Sequence, residues 1–119
     1  MRRVVLDLLL IVLVGLARLE AHAFLERADP AVGSTVQKSP GEVRIWFTEK
    51  IEPAFSTIQV FNASGKEVDK HDVHLDRSNH ALLQLSLPPL QAGTYKVVWR
   101  VVSVDTHVTN GTFTFRIAR

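Results

Sequence analysis

The chain has 119 residues, 14 Lys and Arg against 12 Asp and Glu, five His and no Cys. That length holds one domain with a modest core and not two. A net charge of +2 singles out no polyanionic partner, and the lack of thiols excludes disulfides, thiolate zinc sites and cysteine catalysis.

In chain order, Arg2 and Arg3 precede an apolar run at residues 4–16. That run is short for a membrane span of about 20 residues but suits the core of an export signal. Cleavage is expected after Ala21 or after Ala23, the second satisfying the small-x-small rule. Asp7 within the run, and Arg18, Leu19 and Glu20 beside the junction, depart from the ideal, so a tethered, uncleaved form is the competing outcome. The division adopted is a signal peptide at 1–21 and a domain at 22–119. Its removal takes three of the 14 basic and two of the 12 acidic side chains, leaving a net charge of +1. It also makes His22 the first residue, with an α-amine and an imidazole on one amino acid.

From there short apolar strands alternate with turns, and no amphipathic helix of useful length is seen. A first strand at 24–27 ends at Asp29 and Pro30. Gly33, Ser34, Ser39, Pro40 and Gly41 mark loops. A strand at 43–48 turns Val43, Ile45 and Phe47 to one side; another follows at 57–61. Residues 62–66 form a turn, and 67–79 is a polar segment rich in His and Asp. The strand at 80–87 points Leu83, Leu85 and Leu87 inward and is broken by Pro88 and Pro89. The clearest strand is 95–104, with Tyr95, Val97, Trp99, Val101 and Ser103 on one face. A last strand at 111–117 buries Phe113, Phe115 and Ile117. About seven short strands with regular turns predict an all-β fold, a small Greek-key immunoglobulin-like sandwich or barrel. In such a fold Trp46 and Trp99 read as core, and Tyr95 as a buried corner tyrosine bonded to backbone.

At the end of the central strand stand Asp105 and His107. If the backbone stays extended, their side chains project to one side with Cα atoms roughly 7 Å apart, and a carboxylate and an imidazole would share one metal ion. The bland alternative is a turn with Asp105 capping backbone groups and His107 in solvent. Glu49 and Arg100 read as a structural pair near the sandwich end. His71 and His74, with Asp72 and Asp76, read as a solvated loop or as a second, weaker ion site.

These motifs, in this order, resemble the CopC (also PcoC or YobA) copper-resistance proteins of the bacterial periplasm. The likeness is carried by Ala21-His22-Ala23, by Pro30, Gly33 and Ser34, and by residues 46–49. It continues through Gly93-Thr94-Tyr95, residues 99–103 with Asp105 and His107, and Gly111. The resemblance implies a seven-stranded β-barrel or sandwich. It implies one Cu(II) per chain, held by the α-amine and imidazole of His22, a carboxylate oxygen of Asp105 and the imidazole of His107, with Glu49 as a weak or outer ligand. It further implies a periplasmic location, a role in sequestering or carrying copper, and a CopD-like inner-membrane copper importer as partner. Cu(II) favours a tetragonal set of nitrogen and oxygen donors, which agrees. Some members carry a methionine-rich loop for Cu(I); here Met1 is the only methionine, so a Cu(II)-only member is expected. Ser103 and Thr109 are nearby hydroxyls able to orient metal ligands, a role that sequence does not assign.

No nucleophile elbow, phosphate-binding glycine loop or close acid pair is present, so no enzyme and no small-molecule substrate are expected. Basic residues are not interleaved with aromatics along one stripe, which excludes a nucleic-acid footprint. Two alternatives remain. A histidine-brace copper oxidase would use His22 and a second histidine, but the anionic oxygen of Asp105 favours Cu(II) and leaves little room for O2. A metal-free sandwich module would need none of these side chains.

Overall fold

Strict alternation of apolar and polar residues makes each long strand of this chain two-faced, and two such sheets bury their apolar faces against each other. The computed structural model describes residues 22–118. The expected signal peptide at 1–21 lies outside the described residues, as does Arg119.

The strands are β1 (Leu25–Asp29), β2 (Thr35–Val36), β3 (Glu42–Phe47), β4 (Thr57–Phe61), β5 (His74–Leu75), β6 (Leu82–Ser86), β7 (Gly93–Val102) and β8 (Val108–Ile117). One sheet has the order β1-β3-β6-β5 and the other β2-β8-β7-β4. The chain changes sheet after β1, β2, β3, β4 and β6, which gives the immunoglobulin-like sandwich that the pattern predicts. The core is filled from both sides. Val43, Ile45, Phe47, Leu83 and Leu85 come from one sheet, and Val60, Val97, Trp99, Val101, Phe113, Phe115 and Ile117 from the other. Each of the larger ones contributes about 1.5–3 kcal/mol by leaving water. Tyr95 is buried with them, and its hydroxyl donates to the Gln91 carbonyl at 2.6 Å, the corner expected of it.

The strongest pairing is the β7–β8 hairpin, in register from Gly93↔Ile117 to Val102↔Val108. β8 begins three residues before the expected strand at 111. Gly111, expected at the start of the strand, sits inside it opposite Trp99. A Cβ on Gly111 would lie 2.5 Å from the Trp99 ring, so this glycine makes room for a side chain and starts nothing.

Three other features depart from expectation. The two-residue strands β2 and β5 are too short for a period-2 signal; β2 is recruited in parallel by the edge of β8 and β5 by the edge of β6. Trp46 is not core. With Val43, Ile45 and Phe47 facing inward, its position must face outward, and the Arg27 and Arg44 guanidinium carbons lie 3.8 and 4.7 Å from the centre of its ring. Glu49 and Arg100 form no ion pair among the described residues.

Candidate metal centre

The hairpin tip is a tight turn. The Ser103 N–H donates to the His107 carbonyl at 2.9 Å and the Thr106 N–H to the Ser103 carbonyl at 2.8 Å. Thr106 takes φ 71°, the left-handed residue that closes three-residue hairpin loops. The backbone from 103 to 107 is therefore not extended, and the expected extended spacing of Asp105 and His107 does not apply. The turn still sets the two side chains side by side: His107 Nδ1 lies 3.3 Å from Asp105 Oδ2, with the side chains 39% and 41% exposed.

Ser103 organises that turn. Its side chain is fully buried, at the inward position that follows Val101. Its hydroxyl donates to Asp105 Oδ1 and also lies 3.3 Å from the His107 carbonyl, while the His107 N–H donates to it at 3.2 Å. The Ser103 hydrogen bond, helped by His107, holds the Asp105 carboxyl below the ordinary carboxylate range. Asp105 is thus an anion at any pH where a histidine binds metal.

The other half of the site arrives from the far end of the chain. Residues 22–24 are clasped by two threonines. Thr48, just past β3, donates its hydroxyl to the His22 carbonyl at 3.2 Å and accepts the Phe24 N–H at 3.0 Å; its own N–H meets the Phe24 carbonyl at 2.9 Å. Thr109, the second residue of β8, donates its hydroxyl to the carbonyl of Ala23, which is completely buried. The result is a stack of two imidazoles, with the His22 and His107 rings 4.4 Å apart between centres and inclined by 28°.

His22, Asp105 and His107 are therefore together. Glu49 stands one residue beyond the Thr48 clasp, half-buried in the wall of a groove of about 580 Å³ shared with Lys50, Arg77 and His80. The pairing of His71 and His74 with Asp72 and Asp76 does not form. His74 Nδ1 lies 2.7 Å from the Asp72 carbonyl oxygen. The Asp72 carboxylate accepts the Ser86 N–H at 2.7 Å, and Asp76 holds Ser78 and Gln84. Sequence reasoning missed Thr48 and left Ser103 and Thr109 unassigned. For the last two a signal existed, since each puts a hydroxyl on the inward face of a strand whose other inward residues are mostly apolar.

With this geometry in place, comparison with known proteins is decisive. Residues 25–118 match the family model of the CopC domain. The chain belongs to the CopC family. It is 32% identical over 100 residues to the copper transport protein CutJ of Bacillus subtilis, a match taking in 83% of this chain and 18% of that much longer protein. The fold superposes on the crystal structure of CopC from Methylosinus trichosporium OB3b with a TM-score of 0.76, at 33% identity, covering 81% of this chain and 93% of that one. It superposes on PcoC, a methionine-rich copper resistance protein from Escherichia coli, with a TM-score of 0.73 at 30% identity, over 82% of this chain and all of that one. The family assignment agrees with the resemblance carried by residues 93–95 and 99–107. The methionine richness of PcoC has no counterpart here, where Met1 is the sole methionine.

Proposed function

We propose that this chain is an exported Cu(II)-binding protein that sequesters or carries copper in the periplasm, and that it is not an enzyme. Cleavage after Ala21 makes His22 the amino terminus. One Cu(II) is then held by the His22 α-amine and imidazole, the Asp105 carboxylate and the His107 imidazole, with Glu49 at the margin. The observation that carries this reading is the meeting of His22 and His107, 85 positions apart in the sequence, at ring contact beside an ionised Asp105.

Three nitrogens and one anionic oxygen are a donor set that Cu(II) binds ahead of other divalent first-row ions. With no methionine in the mature chain, no thioether site for Cu(I) exists, so the cargo is taken up and released as Cu(II). To bind it the two rings leave their stack and turn nitrogen edges to the ion, a rotation that solvent-accessible side chains make in nanoseconds or less. Asp105 argues for carriage over oxidation chemistry because it stabilises the oxidised ion and fills a position that O2 would need. The acceptor consistent with the family is a CopD-like inner-membrane importer.

A Cu(II) titration against a competing chelator tests this, after intact mass has established the first residue. One Cu(II) per chain is expected, with binding lost in His22→Ala and His107→Ala. A protein that starts at His22 and shows no tight binding would overturn the proposal.

A further inference from the structure

Along the edge of β4 that does not pair with β7, the chain doubles back after a turn at residues 62–66. The Asn62 carboxamide oxygen accepts the N–H groups of Ser64 and Lys66 at 3.1 and 2.9 Å. The returning segment bridges Glu67 to Phe61 and bonds the Val68 N–H to the Val60 carbonyl at 2.8 Å. Because it runs extended, Glu67 and Asp69 fall on one side. His71, at φ 56°, turns its ring back over them. One donor atom from each of the three lies within 4.8 Å of the others.

We propose that Glu67, Asp69 and His71 form a second cation site, separate from the copper centre, that takes a borderline divalent ion of the Zn(II) class. Three observations carry it. First, the spacing fits. His71 Nδ1 is 3.0 Å from Glu67 Oε2 and 3.5 Å from Asp69 Oδ1, and ligands bound at about 2.0–2.2 Å to one ion stand about 3.0–3.5 Å apart. Second, each carboxylate is already aimed by a donor outside the trio. Gln59 Nε2 donates to Glu67 Oε1 at 3.2 Å, and the Val60 N–H donates to Asp69 Oδ2 at 2.9 Å. Glu67 Oε2 and Asp69 Oδ1 face the imidazole, Asp69 Oδ1 also accepting the His71 N–H at 3.0 Å, an arrangement in which surrounding hydrogen bonds fix metal ligands. The Asp69 side chain is wholly buried, so its oxygen is fixed in place. Third, the trio lines a cavity of about 300 Å³ with Ser56 and Thr57, and the His71 side chain is 71% exposed. An ion can enter, and water can complete its shell.

The donors select the ion class. One imidazole with two carboxylate oxygens suits Zn(II), Ni(II) or Cu(II), and lacks the sulfur that Cu(I) prefers. With a single nitrogen it binds Cu(II) less well than the three-nitrogen centre, so it suits an ion other than the principal cargo. In the ion's absence the His71 ring contacts the same two carboxylate oxygens directly.

The experiment is a calorimetric titration of the exported chain carrying His22→Ala and His107→Ala with Zn(II) alone, followed by amide NMR. The expected result is one Zn(II) per chain, with shifts concentrated at Val60 and at residues 67–71. Adding Glu67→Gln, which keeps the acceptor for Gln59, or His71→Gly, which suits the positive φ, should each lower the affinity by about tenfold or more in a chain that still folds. No saturable Zn(II) binding, or binding that survives both substitutions, would overturn the site. Because both imidazoles of the proposed copper centre are absent from every protein in the series, and the Glu67 and His71 substitutions do not touch what remains of that centre, the outcome does not depend on the copper proposal.

Discussion

The Thr109 hydroxyl donates to the Ala23 carbonyl, and this one bond ties the amino-terminal segment to the strand that leaves the Asp105–His107 turn. Together with Thr48 it fixes where His22 emerges. With His22 as the proposed amino terminus that support matters, since a terminal residue is otherwise the least ordered part of a domain and a chelating amine serves only beside its partner ligands.

Thr109→Val should therefore weaken Cu(II) binding more than it weakens the fold. The lost bond costs about 1 kcal/mol of stability, while loosening a ligand's support lowers metal affinity by about 10–100-fold. Chelator competition and thermal unfolding of the same protein separate the two. An affinity equal to that of the parent would show that Thr48 alone holds the segment.

Ser103→Ala tests the other half. Removing the hydroxyl takes away the main influence that depresses the Asp105 carboxyl, so that group protonates at higher pH. Protons compete with copper for the carboxylate, so the loss of copper on acidification should begin at higher pH in the variant than in the parent. Binding curves measured over a pH series give the comparison; superimposable acid limbs would remove Ser103 from the role described here.

How much of this was legible in the sequence depends on whether a feature is periodic. Alternation along residues 95–104 and 111–117 marks the inward faces of β7 and β8 correctly, because burial of one sheet face demands it. The same rule places Trp46 outside, and only the general hydrophobicity of tryptophan suggests otherwise. The three-residue turn that brings Asp105 to His107 carries no glycine or proline, and its left-handed position is filled by Thr106, so Asp105 itself is its one turn signal and does not decide between a turn and an extended strand end. Likewise the clasp of residues 22–24 joins threonine hydroxyls to backbone carbonyls 26 and 86 positions away, a separation no local pattern encodes. The proposed ligand residues come from motif likeness, which does not assign the hydroxyls that support them.

Gly111→Ala should destabilise the sandwich by about 1–3 kcal/mol, the usual cost of forcing extra atoms into a packed core. The added methyl would meet the Trp99 ring at 2.5 Å. That ring is 7% exposed and packs edge-on against Phe47 at 5.2 Å, so it has little space to yield. Denaturant unfolding followed by tryptophan fluorescence measures the loss, and an unchanged midpoint would mean that Trp99 has a second rotamer available.

Asp72 offers a test of charge in holding the polar loop. Its carboxylate accepts the Ser86 N–H at 2.7 Å, and that contact with Ser86, aided by the nearby His74, holds its carboxyl below the ordinary value of 3.8. A carboxyl whose folded-state value lies below its unfolded one adds stability above the unfolded value, and that stability is lost as pH falls through the folded one. Asp72→Ala should then lower stability at neutral pH by at most about 1 kcal/mol, since the group is exposed and solvent screens it. The deficit should shrink below 3.8, where the parent's carboxylate begins to take up its proton. Urea midpoints of the two proteins at neutral pH and again well below that value decide the matter. A deficit that stays constant with pH would assign the contribution of Asp72 to packing, with no part for its charge.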